Sequence, residues 1–173
     1  RWATIENLKR IADTSNFLKE HGIGSYEELL DRCEVASASA ARLKADLRDT
    51  GAKIDELALK MKHVAAYRQL KPIYDRYKAS RDKEKFLRGH ESEIILFEAA
   101  ARECKRLGAV PLPATERMQA EIDELNARKA ILKAELQKAQ RKEQDYAAMR
   151  QNVEDFLSPP QPEQERKKNV ELE

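Results

Sequence analysis

One stripe of positions between Thr115 and Leu157 recurs at alternating intervals of four and three: Met118, Ile122, Leu125, Lys129, Leu132, Leu136, Ala139, Glu143, Tyr146, Arg150, Val153 and Leu157. That period runs along one side of an α-helix and forms the seam of a left-handed helix–helix contact. Thr115 is a suitable N-cap, Glu116 stands in the positive first turn, and Ser158-Pro159-Pro160 stops the helix. A helix of this length extends about 63 Å. So long and charged a rod does not hold together alone in water, so the seam demands a partner.

The chain itself carries a matching stripe: Leu29, Cys33, Ala36, Ala40, Leu43, Leu47, Thr50, Ile54, Leu57, Met61 and Val64. The two are joined by an excursion of roughly 45 residues, so folding back on one chain is the economical pairing. The expected fold class is all-α: a long antiparallel coiled-coil hairpin, or stalk, with a small helical head inserted between its two arms and a short N-terminal helix. Size matching predicts layers such as Val64 with Ile122, Met61 with Leu125, Ile54 with Leu132, Ala40 with Tyr146, Cys33 with Val153 and Leu29 with Leu157. Leu57 with Lys129, Leu43 with Glu143 and Ala36 with Arg150 are the weak layers, where charged side chains lay their stems on the seam. A one-heptad slip that sets Thr50 against Glu143 is the competing register. The same heptads also serve a swapped homodimer.

The organisation follows from punctuation along the chain. Residues 1–24 form an N-terminal helix and turn, with Ile5, Leu8, Ile11, Ala12, Ser15 and Leu18 on one side and Gly22 as the left-handed stop. Ser25 and Glu28 make a capping box for the first stalk helix, 25–71. Pro72 is expected to kink or restart the helix. The head occupies 72–114: a helical stretch over 73–88 broken by Gly89, then a helix over 91–107 whose wide apolar face (Ile94, Ile95, Leu96, Phe97, Ala100, Ala101, Cys104, Leu107) reads as the buried element. The second stalk helix is 115–157, and 158–173 reads as a disordered tail. Gly51 falls inside the first long helix and weakens it by roughly 1 kcal/mol relative to Ala.

Composition limits the function classes. Charged residues make up 37% and aromatics 6%, the balance of long helices rather than of a sheet-based enzyme. No apolar run is long enough to span a membrane. The chain opens Arg1-Trp2-Ala3 without an initiator Met, which reads as a piece of a longer protein. Cys33 and Cys104 read as reduced, partly buried thiols. His21, His63 and His90 have no second ligand at metal spacing, so no metal site is assigned. There is no Gly-rich phosphate loop or other cofactor motif, and no nucleophile with a base nearby, so no catalytic residue is assigned. Glu93 and Glu98, flanking the apolar face of the head helix, read as surface residues.

The net charge is only +2, so any basic surface is local. Residues 60–88 hold ten Lys or Arg against three acids, Asp75, Asp82 and Glu84, with Tyr67, Tyr74, Tyr77 and Phe86 interleaved. Cations neutralise phosphates and aromatic faces stack unpaired bases, a composition that suits single-stranded nucleic acid. A solvated helix face whose aromatics are core has the same composition. The candidate DNA-binding residues are Arg76, Lys78, Arg81, Lys83, Lys85 and Arg88, with Arg102, Lys105 and Arg106 of the next helix as an extension.

Residues 74–112, from Tyr74-Asp-Arg-Tyr-Lys-Ala-Ser-Arg through Gly89-His-Glu-Ser-Glu-Ile-Ile-Leu-Phe to Gly108-Ala-Val-Pro-Leu112, resemble the C-terminal region of conjugative relaxases, the mobilization nucleases of Gram-positive gut bacteria. The likeness extends over most of the chain, with 81–112 its most specific part. Those enzymes nick one DNA strand at a transfer origin with an N-terminal nuclease domain that carries a catalytic Tyr and a His cluster. No His cluster stands here, so Tyr67, Tyr74, Tyr77 and Tyr146 inherit no catalytic role. The resemblance implies a setting of DNA transfer in the cytoplasm. Two readings follow for this region: a non-catalytic helical domain that binds transfer-origin DNA through its basic head, or a scaffold that recruits relaxosome or coupling-protein partners or dimerises the relaxase.

Overall fold

The computed structural model describes residues 2–158, with side chains from Ile5 onward. Four helices follow in order: α1 (Trp2–Glu20), α2 (Tyr26–Ala79), α3 (Lys83–Arg106) and α4 (Thr115–Leu157). There is no strand among the described residues. All of the expected disordered tail except Ser158 lies outside them. The chain divides into two compact units, one from the described parts of Arg1–Ala40 and Lys138–Glu173, the other Ala41–Gln137.

In the first unit α1 ends at Gly22, whose φ of 62° admits the left-handed turn that a β-carbon would strain. The Ile23 N–H reaches back to the Leu18 carbonyl at 2.8 Å and the Gly22 N–H to that of Lys19 at 3.1 Å. Ser25 opens α2 by accepting the Glu28 N–H at 3.1 Å, while the Glu28 carboxylate accepts the Gly24 N–H at 2.6 Å. Four orphan donors wait at a helix start, and this pair of side chains satisfies one of them and steadies the approach to it.

The core of this unit is Leu29, Ala36 and Tyr146, with Phe17, Leu18, Tyr26, Cys33, Met149 and Val153 packed around it. Tyr146 is only 4% exposed and meets the Phe17 ring edge-on at 5.4 Å. The Cys33 thiol points at the Tyr146 carbonyl at 3.5 Å, and burial pushes that thiol's pKa up. The Tyr26 hydroxyl donates to the Glu154 carboxylate at 2.7 Å, which raises the phenol's pKa.

Of the apolar stripe expected of α1, Leu18 packs on the core but the N-terminal part does not dock. Ile5, Leu8 and Ile11 are 61%, 63% and 47% exposed. The helix turns Arg10, Thr14 and Phe17 toward α4 instead. Arg10 donates to Asn152 Oδ1 at 2.8 Å and to Asp155 at 2.7 Å, and Asn152 donates to the Thr14 hydroxyl at 3.0 Å. That hydroxyl in turn donates to the Arg10 carbonyl at 2.7 Å, so the buried Thr14 is fully satisfied. Hydrogen bonds from Gln151 and Arg10 hold the Asp155 carboxyl below its ordinary range.

In the second unit Val64, Cys104, Ala109 and Met118 form the core, joined by Met61, Tyr67 and Leu112. Cys104 is 1% exposed, and burial pushes its pKa up; both cysteines are free thiols. Arg68 ties the connector down, donating to the Pro113 carbonyl at 2.9 Å and to the Thr115 hydroxyl at 3.2 Å. The Thr115 hydroxyl is therefore engaged with Arg68 and with Glu116 rather than capping α4 as expected; Met118 N–H takes the Ala114 carbonyl.

Every position of the α2 stripe from Leu29 to Val64 is buried or half-buried, as are those of α4 from Met118 to Tyr146. Beyond Tyr146 the α4 stripe holds only in part: Val153 packs on the core with Met149 beside it, Arg150 is exposed, and Leu157 is 70% exposed rather than packed on Leu29. The expected layers are displaced by about one heptad. In the first unit Tyr146 lies against Cys33, not Ala40. In the second, Lys129 Nζ lies 3.8 Å from where a β-carbon on Gly51 would stand, so its neighbour is Gly51, not Leu57. The two-stripe alignment leaves out α1, whose Phe17 ring packs on Tyr146.

Pro72 does not end the helix, because α2 runs on to Ala79. The proline removes one backbone bond, and the burial of Tyr74 against α3 offsets that loss. The break comes instead at Ser80–Asp82, where Asp82 caps α3 by accepting the Lys85 N–H at 2.9 Å. Next to Gly89, where a break was expected, α3 is kinked: His90 takes non-helical dihedrals (φ −138°, ψ 24°) between two helical stretches. Ile94, Phe97, Ala100 and Cys104 of α3 are buried as expected, whereas Ile95 and Leu96 are 55% and 58% exposed.

Because the space beside Gly51 already accommodates a β-carbon at ordinary contact distance, Gly51→Ala is expected to stabilise the chain by about 0.5–1 kcal/mol through helix propensity. A thermal melt followed by circular dichroism checks this; a lowered midpoint would mean that Lys129 requires the vacancy.

Candidate nucleic-acid interface

The basic candidates all belong to the second unit and all nine are exposed. Arg76 and Lys78 stand in the last turn of α2, Arg81 in the break, and Lys83, Lys85 and Arg88 in the first turns of α3. Arg102, Lys105 and Arg106 sit at the other end of α3, past the kink at His90 and about 20 Å or more of helix beyond Arg88.

The acids around the main cluster are largely occupied. Lys71 holds Asp75 at 2.8 Å, and the hydrogen bond keeps the Lys71 ammonium above its ordinary pKa. Asp82 is spent on its cap. Among the described residues no acid forms an ion pair with Arg76, Lys78, Arg81, Lys83, Lys85 or Arg88. Arg76 leans on the Pro72 carbonyl at 3.4 Å. Arg106 differs: Glu103 holds it at 2.7 Å, which lowers the carboxyl's pKa and raises the guanidinium's. Its charge is neutralised locally, so Arg106 is a poor phosphate ligand. Glu98 is exposed, while Glu93 is half-buried, its pKa lowered by its own backbone N–H, Ser92 and His90.

The aromatic residues interleaved with the cations form a continuous array of rings. Tyr67 lies 4.8 Å from Phe97, Phe97 stacks on Tyr74 at 4.2 Å, Tyr74 neighbours Tyr77 at 6.0 Å, Tyr77 neighbours Phe86 at 6.3 Å, and Phe86 lies 4.6 Å from His90. Tyr67, Tyr74, Tyr77 and Phe86 are half-buried and Phe97 is 6% exposed. Lys78 Nζ sits 5.3 Å over the Tyr74 ring. The array packs the end of α2 against the start of α3 and so fixes where the cations project. Phe97 and His90 belong to it although composition gave no hint of either. Their spacing does: 67, 74 and 77 share one face of α2, and 86, 90 and 97 share one face of α3. Beside the break lies an open groove of about 340 Å³ lined by Ser80, Asp82, Lys85, Phe86, Gly89 and His90.

Among the described residues no group of three or more His, Cys, Asp or Glu side chains is arranged to hold a metal ion, and no helix is long and apolar enough to cross a membrane. Comparison with protein-family models, curated proteins and solved structures finds no match for the chain.

Phe97 joins the two halves of the ring array, so Phe97→Ala is expected to cost about 3–5 kcal/mol. Chemical denaturation measures the loss, and near-ultraviolet circular dichroism reports the freed tyrosines; a change under 1 kcal/mol would mean that the array does not hold α2 to α3.

Proposed function

We propose that this chain is a non-catalytic, nucleic-acid-binding helical domain. In this reading it is the C-terminal region of a relaxase acting in the cytoplasm, and it helps hold transfer-origin DNA during conjugative strand transfer. The setting comes from the resemblance of residues 74–112 to mobilization nucleases. The binding role rests on one observation: Arg76, Lys78, Arg81, Lys83, Lys85 and Arg88 are exposed around a single helical break while Asp75 and Asp82 are engaged elsewhere. Such a cluster concentrates positive potential on a chain that is nearly neutral. We further propose that α2 and α4 form an antiparallel coiled-coil hairpin that presents this head. The heptad spacing and the contacts of Cys33 with Tyr146 and of Gly51 with Lys129 support that arrangement.

A second reading, a scaffold for relaxosome or coupling-protein partners or for a second relaxase copy, draws on the exposed Ile5, Leu8 and Ile11 of α1. An apolar row facing water is the kind of surface that partners cover.

The experiment is DNA binding by fluorescence anisotropy across a salt series, with the wild type and with Arg81, Lys83, Lys85 and Arg88 all replaced by Gln. These side chains are exposed, so the variant keeps its fold, which circular dichroism verifies. The affinity should fall steeply with salt, and the variant should lose up to about 0.9 from the log–log slope for each phosphate contact removed. No binding at low salt, or a slope unchanged in the variant, contradicts the DNA-binding reading and favours the scaffold.

A further inference from the structure

We infer that the nucleic acid held by the basic break is a double strand gripped by its phosphates, not a single strand threaded over stacking aromatics. The inference rests on the DNA-binding reading above and narrows its substrate. Proteins that hold single strands pair a cationic track with aromatic faces on which bases stack. The sequence has both ingredients here, but the fold spends one of them. Tyr74 stacks on Phe97 at 4.2 Å and lies under Lys78, and Tyr67 lies 4.8 Å from the same Phe97. Tyr77 and Phe86 are bracketed by Tyr74, by each other and by His90. None of these four rings is fully exposed. The six cations at the end of α2, the break and the start of α3 are exposed, while the rings between them are half-buried and turned to one another.

Such a surface recognises charge density. A duplex carries about one phosphate charge per 1.7 Å of axis, twice the density of one of its strands. Arg76, Lys78 and Arg81 precede the Asp82 cap while Lys83, Lys85 and Arg88 follow it, so the cations project from two helix ends that meet at one break. The only acid in this stretch without a partner assigned above is Glu84. With the ring faces engaged with one another, the exposed cations are left to carry the binding through the phosphate backbone.

The test measures the whole chain against a short duplex and against each of its two strands, at one low salt concentration. A companion single strand carries 2-aminopurine, whose fluorescence is quenched on stacking against a protein ring. The duplex is expected to bind tighter than either strand, the direction its higher charge density favours, and 2-aminopurine in the bound strand should show no added quenching. A strand bound as tightly as the duplex, or a quenched 2-aminopurine, overturns the duplex assignment and leaves the phosphate-binding reading standing. Absence of binding to all three overturns both.

Discussion

The structure depends on one requirement: a long charged helix needs a partner along its apolar stripe. Most of α2 and α4 is charged or small, and what each can bury is a single row of side chains. Tyr146 shows how that requirement is met in the first unit. A tyrosine buried to 4% needs close neighbours, and Leu29, Ala36 and Cys33 of α2 together with Phe17 of α1 supply them. In the second unit Val64 and Met118 do the same with Cys104 and Ala109. Once the apolar groups are paired in this way, the remaining charges are left to solvent, and the break at Ser80–Asp82 becomes a place where cations gather without acids to match them.

Much of this was legible in the sequence because periodicity is a local property. The alternation of four and three identified the covered face of α2 at every position from Leu29 to Val64 and that of α4 as far as Tyr146. Gly22 and Gly108 mark helix ends with positive φ, at 62° and 66°. What periodicity cannot supply is which residue lies opposite which. Size matching placed Tyr146 against Ala40, but it lies against Cys33 with Phe17 of α1 packed on its ring, and α1 was absent from a two-stripe alignment. The orientation of α1 was misread for a related reason. Ile5, Leu8 and Ile11 mark the obvious face, yet the side that docks joins the hydrogen bonds of Arg10, Thr14 and Asn152 to the packing of Phe17 and Leu18.

The candidate interface divides in the same way. Cations are exposed almost wherever they fall, so Arg76 through Arg88 could be read from composition. The partnering of Arg106 by Glu103 follows from their separation of three residues on a helix. The fate of the aromatics could not be read so simply, because a half-buried ring is either a platform or a packing element depending on what stands across from it. Phe97 stands across from Tyr67 and Tyr74, and it lies 30 and 23 residues from them in sequence. Pro72 taught a similar lesson. The local rule there is a kink or a restart, and α2 runs on through it to Ala79 with Tyr74 stacked on Phe97.

The pairing of α2 with α4 of the same chain, with Gly51 level with Lys129, is the central claim. Distance measurement by double electron–electron resonance tests it most directly. Spin labels would be placed at the exposed Ala52 and Arg128, and in a second sample at the exposed Ala58 and Arg128, with Cys33 and Cys104 replaced by Ala. Six residues of helix correspond to about 9 Å, so the 52–128 distance should be clearly the shorter and should persist when labelled protein is diluted into unlabelled protein. A shorter 58–128 distance would restore the register that size matching alone favours. A signal lost on dilution would show that the two helices find their partners in different chains.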